Sequence, residues 1–209
     1  RISSGPSFMK DGPLDMRMNN AVDSKNRLNA ADLCNEMDAR ELARIFKVYG
    51  DEPRNRAVAQ AIVQRRPLQT TGDLVDAVAS VVPQFAKQGR RHGRTATLAR
   101  VFQALRIVVN QEDVVLEQAL QEMAPSLLRQ PGGRLVVLSY HSLEDRMTKR
   151  VIRDGTVHRV RHVEKDLYGN PMGPPRPFAP AGKAQKATAE EVQGNPRARS
   201  ATLRVGNRQ

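Results

Sequence analysis

The apolar residues of this chain change their period at one turn. From Asn29 to about Leu128 they recur at helical spacing, and after Pro131-Gly132-Gly133 they run together as "RLVVLSY". The helical part is punctuated by its own chemistry. Asn29 is placed to cap "AADLCNEM". Asp38 with Glu41 forms a capping-box start for "ARELARIFKVYG", where Leu42, Ile45, Phe46 and Val48 make a buried stripe and Gly50 is expected to supply the terminating left-handed residue. "NRAVAQAIVQRR" repeats the pattern with Val58, Ile62 and Val63 until Pro67, and Thr71 with Asp73 opens "GDLVDAVASVV". Leu98, Phe102, Leu105, Val109, Leu116, Leu120 and Met123 then keep helical spacing over many turns, as one long helix or two broken near Asn110.

"RLVVLSY" is a continuous apolar run of strand length, rich in β-branched residues, as expected of a strand covered on both faces. A helix, "SLEDRMTKRVIRD", follows it, and this alternation is the local signature of a parallel α/β sheet. "SATLRVG", Ser200 to Gly206, is the other strand the pattern predicts. Between them, roughly residues 155–199, Pro, Gly, Ala and Lys dominate and predict a flexible or extended loop. The first stretch, "SSGPSFMKDGPLDMRMNN", has no sustained period and is expected to be a structured loop packed on something else. Two strands alone would make a marginal sheet.

Charge sharpens the picture. The chain has 209 residues, 34 Lys and Arg against 22 Asp and Glu, and a net charge of +12. An anionic partner follows, with nucleic acid ahead of a membrane surface, because clustered cations displace counterions from phosphates. Mean hydropathy is −0.55 and no apolar run approaches the roughly 20 residues needed to span a bilayer, so a soluble protein and no membrane partner are expected. Cys34 is the only cysteine, which excludes a disulfide framework and a cysteine-based zinc site and suits a reducing compartment. Beginning at Arg1 with no apolar signal segment, the sequence reads as a processed protein or a piece of a longer one.

The candidate chemistry gathers at "LSYHS". Tyr140, His141 and Ser142 stand where strand ends in open α/β sheets face ligands. Ser142 also reads as the N-cap of the next helix, with Asp145 three residues on, and Tyr140 as core. A serine hydrolase using Ser139 or Ser142 with His141 is disfavoured, since G-x-S-x-G is absent and adjacent strand residues point to opposite faces. His158 and His162 have i,i+4 spacing without a third ligand nearby, so no metal is predicted. "DGPLDMRM" brings Asp11, Asp15 and Arg17 into a rigid Gly-Pro context, either as a turn with an ion pair or as a loop lining a site. The basic stretches from Lys87 to Arg94 and through "RVIRDGTVHRVRH" are placed to track phosphates.

Taken in order, "FMKDGPLDMRM", "ARELARIFKVYGDE", "ARVFQALRIVVNQE", "GGRLVVLSYHSLEDR" and "NPRARSATLRV" make the chain resemble, from about Ser7 to Arg204, the small-subunit ribosomal RNA cytosine-N4 methyltransferase family, methyltransferase H. The resemblance implies an α/β fold: part of a Rossmann-like, S-adenosylmethionine-dependent methyltransferase domain carrying an inserted small helical domain that contacts RNA. Residues 1–28 would be the loop leaving the methyltransferase core, 29–95 the insertion, and 96–209 the returning C-terminal half. The family's cofactor site uses a Gly-rich turn after its first strand, which this sequence lacks, so the resemblance places no cofactor-binding residue in this chain. Ala96 and Thr97 stand where the family usually has His-Pro.

The resemblance implies methylation of a cytidine of small-subunit ribosomal RNA, with that RNA or the ribosomal subunit as partner. It admits a homodimer, and a cytoplasmic setting or a chloroplast or mitochondrial one. Tyr140, His141 and Ser142 become the candidates facing the target base, with Tyr140 stacking on the ring and Ser142, His141 or strand-end carbonyls accepting from N4. Asp11, Asp15, Arg17, Arg100 and Arg146 become substrate-binding candidates. The alternative is a non-catalytic RNA-binding or ribosome-associated protein, consistent with the charge and with the absent cofactor motif.

Overall fold

The computed structural model describes residues 10–18, 28–84, 93–158, 167–168 and 176–209. The chain divides into two compact units, residues 1–112 and 113–209. The division falls after the long helix, so residues 96–112, grouped by the resemblance with the C-terminal half, belong by packing to the first unit.

The first unit is helical. It comprises α1 (Ala30–Glu36), α2 (Ala39–Val48), α3 (Asn55–Gln64), α4 (Thr71–Ala79) and α5 (Arg94–Asn110). Three of these start in reciprocal capping boxes, Asn29 with Asp32, Asp38 with Glu41, and Thr70 with Asp73; the last lies one residue earlier than the sequence suggested. Leu42, Ile45, Phe46, Val58, Ile62, Leu74, Val78, Val101, Phe102 and Leu105 build one core, while Val48, expected in the stripe, is exposed. The described part of the N-terminal loop packs here too. Leu14 and Met16 enter the core, and Leu14 N–H donates to the Gln69 carbonyl while Thr71 N–H donates to that of Gly12.

Gly50 does not end α2 in the left-handed region; that conformation falls to Asp51, with φ 48°. Glycine is required at position 50 for another reason. A Cβ there would lie 2.7 Å from the Arg100 carbonyl oxygen and 2.8 Å from that of Phe46, so its absence lets α5 approach the end of α2. The predicted break of the long helix occurs at Gln111, with φ 53°.

The second unit begins with α6 (Glu112–Gln118), a π-helical turn (Ala119–Met123) and α7 (Ala124–Leu127). Pro125, with no N–H to offer the preceding turn, lies just after the widened segment. β1 (Arg134–Ser139) leads into α8 (Ser142–Asp154), and β2 (Phe178–Pro180), β3 (Gln185–Lys186), α9 (Ala189–Gly194) and β4 (Thr202–Arg208) complete the unit. β4 pairs with β1 along one edge and with β2 and β3 along the other, and every pairing is antiparallel, in place of the parallel arrangement expected. The stretch read as a loop therefore supplies two short strands, a helix and a 3-10 turn (Pro196–Ser200) from Phe178 onward. Their shortness, and the prolines at the start and end of the stretch, Pro177, Pro180 and Pro196, hid them from period-based reading.

α8 covers one sheet face with Met147, Val151 and Ile152, joined by Leu120, Val157 and Phe178 and by Leu135 and Val137 of β1. The other face of β1 is open: Val136, Leu138 and Tyr140 are 56%, 51% and 54% exposed. The expectation of a strand covered on both faces is thus corrected among the described residues. An unbroken apolar run reports that both faces are apolar, not what lies against them.

Candidate functional site

The carboxyl end of β1 is built by a capping arrangement that the sequence placed one residue late. His141, not Ser142, is the N-cap of α8, and its partner is Glu144, not Asp145. The His141 Nδ1 accepts from Leu143 N–H at 3.3 Å, and Glu144 Oε2 accepts from the backbone N–H groups of Tyr140 and His141 at 2.9 and 3.2 Å. Ser142 becomes the first helical residue. Asp145 instead accepts from Arg204 through both carboxylate oxygens, at 2.7 and 3.1 Å, and pins α8 to β4.

A cap that accepts at Nδ1 sets the tautomer: the neutral ring then carries its proton on Nε2. Ser139 is 1% exposed, and its hydroxyl has no hydrogen-bond partner among the described residues. No Ser139–His141 pair exists to support hydrolase chemistry.

On the open face, Tyr140 and Leu138 form one wall of a cleft of about 190 Å³. The cleft's polar groups include Lys186, Glu191 and Asn195, and Leu203 completes the apolar side. None of these was singled out from sequence. Asn195 opens the "NPRARS" block and was signalled by that block alone; Lys186 and Glu191 lie in the stretch whose composition reads as loop. The Asn195 Oδ1 accepts from Arg197 N–H at 3.2 Å. Arg146, on the first turns of α8, is half-buried and partnered.

The remaining candidates lie in the helical unit. Asp15 and Arg17 form a bidentate ion pair, with Nε and a terminal guanidinium nitrogen each 2.6 Å from a carboxylate oxygen. Arg17 holds the Asp15 carboxyl below its ordinary range against the opposing effect of partial burial. Asp11 Oδ1 accepts from Gly72 N–H at 2.8 Å and Gly12 N–H at 2.9 Å, and the Gly72 bond leads the causes that lower its pKa. Asp11 thus ties the loop to the start of α4. Arg100 donates through Nε to Glu52 at 2.7 Å, and Glu52 is buried, so this guanidinium neutralises a carboxylate in the core.

Cys34 is buried, and desolvation pushes its thiol up to about 12, which keeps it in the unreactive form. His158 stands 3.5 Å from Glu117, and His162 lies outside the described residues, as does most of the Lys87–Arg94 stretch. Among the described residues no three His, Cys, Asp or Glu are grouped to hold a metal ion, and no helix is long and apolar enough to cross a membrane.

A profile of the MraW methylase family matches residues 2–209. The chain belongs to this family. Curated relatives share its sequence almost end to end: ribosomal RNA small subunit methyltransferase H of Chlorobium phaeovibrioides is 47% identical over 96% of this chain and 59% of its own length. Proteins of the same name from Chromohalobacter salexigens and a Nostoc species are 44% and 41% identical over 99% and 98% of the chain. The chain spans about three-fifths of the length of these relatives.

Membership of a methylase family implies a methyl donor, so the described residues can be tested for a nucleoside cradle. Such cradles use a glycine-rich turn leaving the carboxyl end of a strand, with free N–H groups at the following helix start. Here the Gly132–Gly133 turn precedes β1 instead. Gly133 N–H donates to Arg129, its carbonyl accepts from Arg208, and a Cβ on it would lie 2.6 Å from the Arg129 carbonyl oxygen. At the carboxyl end of β1, the N–H groups of Tyr140, His141 and Leu143 are spent on the cap. These residues do not fit the donor.

Proposed function

We propose that this chain forms the base-facing part of an S-adenosylmethionine-dependent enzyme that methylates N4 of a cytidine in small-subunit ribosomal RNA, with a Rossmann-like domain carrying the helical unit as an insertion. The observation that carries the reading is the family match over residues 2–209 combined with an open cleft beside the end of β1 that Tyr140 lines; His141 and Ser142 follow at that strand end but are not among its lining residues. In this reading the donor is held by residues other than those described.

The acceptor amine sets the requirements. Its lone pair is delocalised into the ring, so the site must fix the base and accept a hydrogen bond from N4–H as that nitrogen becomes tetrahedral. The base must also leave any stack to reach a cleft. Tyr140, half-exposed at the cleft wall, offers the stacking face. His141, with its proton on Nε2, suits the ring acceptors N3 or O2, which leaves the strand-end carbonyls or Ser142 to accept from N4. Arg17 and Arg146 are assigned to the RNA chain, with Asp15 orienting Arg17. Asp11 and Arg100 act as positioning residues, through the α4 start and through Glu52.

The test is methyl transfer from labelled S-adenosylmethionine to small-subunit ribosomal RNA, by this chain and by this chain joined to the unmatched part of the Chlorobium phaeovibrioides relative. Nucleoside mass spectrometry should place the methyl on N4 of cytidine, and Tyr140→Ala should lower transfer by at least tenfold. A methyl found on ring carbon or ribose, or full activity of Tyr140→Ala, defeats the reading. The second reading, a non-catalytic RNA-binding protein, is favoured by the net charge and predicts RNA binding with no methyl transfer by either protein.

A further inference from the structure

A second feature lies in the helical unit, on the side of α2 opposite its buried stripe. Arg40, Arg44 and Lys47 follow one another at i, i+4 and i+7, which puts all three on one face over about 10 Å of helix axis. They line an open groove of about 510 Å³ whose other wall is the first half of α3, with Asn55, Arg56 and Gln60. Ala39 and Ala43 form its floor, so no bulky side chain fills it.

The groove contains four cations and no carboxylate. Three acidic residues close in sequence are engaged elsewhere: Asp38 and Glu41 cap α2, and Glu52 faces Arg100 in the core. The side chains of Arg40, Arg44, Lys47 and Arg56 make no ion pair or hydrogen bond among the described residues, whereas those of Arg17, Arg66, Arg100 and Arg106 are engaged. The start of α3 is held by Glu52, whose carboxylate accepts from Arg54 N–H at 2.9 Å and whose carbonyl accepts from Asn55 N–H at 3.2 Å, so the charge of the groove comes from its side chains.

Four exposed like charges around one hollow repel one another weakly through water and together raise a positive potential that favours an anion of matching length. A cation row over an alanine floor suits a run of phosphates, with Gln60 as a neutral donor between charges; the Asn55 amide already donates to the Glu52 carbonyl at 2.8 Å. We infer that the α2–α3 groove binds the sugar-phosphate backbone of RNA. The groove deepens the proposed RNA substrate by naming the surface that holds its chain; it acts through backbone charge, so it confers affinity rather than base choice.

The test is anisotropy titration of the chain with a fluorescein-labelled single-stranded RNA of mixed sequence, across about 50 to 200 mM salt. The variant is Arg40→Gln/Arg44→Gln/Lys47→Gln, with Lys183→Gln/Arg197→Gln/Arg199→Gln as a control of equal charge loss on the other unit. Three lost phosphate contacts should flatten the slope of log K against log salt by about 2 and weaken binding at least tenfold, while the control changes the slope by well under half as much. Unchanged melting by circular dichroism is expected, because the substituted groups are exposed. An unaltered slope, or an equal effect of the control, overturns the inference. Co-sedimentation with phosphatidylserine-containing vesicles that is lost in the groove variant, with RNA binding intact, would assign the groove to a membrane surface and overturn it equally. Methyl transfer is not read in this assay, so failure of the proposed reaction and failure of the groove remain separate results.

Discussion

The two units manage their apolar residues in opposite ways. In the helical unit the long side chains of α2, α3, α4 and α5 close around Phe46 and Leu42, both fully buried, and the outward face of α2 carries charge. In the sheet unit α8 covers one face only, and Val136, Leu138 and Tyr140 remain exposed on the other, as do Val115, Met123 and Leu127 on the helices before β1. A closed core makes its contribution to stability within the unit, so substitutions there should be felt in full. A bare apolar face makes little contribution until something covers it.

The sharpest way to break this contrast is Phe46→Ala. Removing a fully buried phenyl ring leaves a cavity that helices fixed by their capping boxes cannot close, and the cost should be about 3–5 kcal/mol. Urea unfolding followed by circular dichroism would measure it. A cost below about 1 kcal/mol would mean that the helical core is looser than its burial implies.

Nearly as large an effect is expected from Arg100→Ala. It strands the Glu52 carboxylate, which is buried and otherwise accepts from Arg54 N–H at 2.9 Å, and breaking such a pair costs about 3–5 kcal/mol. Glu52→Gln combined with Arg100→Met should recover most of that loss, since it removes both charges. Retention of wild-type stability by Arg100→Ala alone would show that water replaces the guanidinium at Glu52.

The comparison also explains what the sequence disclosed. Helix starts were readable because a capping box is a local device: Asn29 and Asp38 signal their helices with residues three positions away. Gly50 misled, because the demand on it comes from α5, fifty residues later in the chain, and not from its own helix end. The strand at residues 134–139 was visible in its apolar run, but its antiparallel partner and its bare face depend on neighbours that the run does not encode. At the candidate site, Tyr140 and His141 stood out by position, whereas Lys186, Glu191 and Asn195 reach the cleft only through pairing of β3 with β4 and the turn after α9. The cations of the groove were in plain view at i, i+4 and i+7; on sequence alone they are the polar side of an amphipathic helix, and only the packing of Asn55, Arg56 and Gln60 of α3 opposite them makes a channel.

A third, smaller effect probes the strand end. His141→Ala removes the α8 cap and should cost about 1 kcal/mol, and His141→Asn, which caps equally well, should restore it. The pair separates two roles of one residue. Asparagine rescues stability, yet has no ring Nε2 to present, so in a methyl-transfer assay the rescued variant should stay impaired if His141 also touches the base. Equal recovery of stability and activity would reduce His141 to a cap.

The smallest change is expected where the apolar surface is largest. Val136→Thr and Leu138→Thr together exchange two half-exposed side chains on the open face for β-branched polar ones that keep strand propensity. In this chain alone the midpoint of urea unfolding should move by less than about 0.5 kcal/mol equivalent. The same pair in the chain joined to the unmatched part of a relative distinguishes two uses of the face. If that part packs on β1 and β4, each newly buried hydroxyl lacks a partner and costs about 1–3 kcal/mol. If the face stays wet, the joined protein should tolerate the double substitution as the chain alone does, and the exposed Val136 and Leu138 would then extend the wall of the Tyr140 cleft rather than an interior.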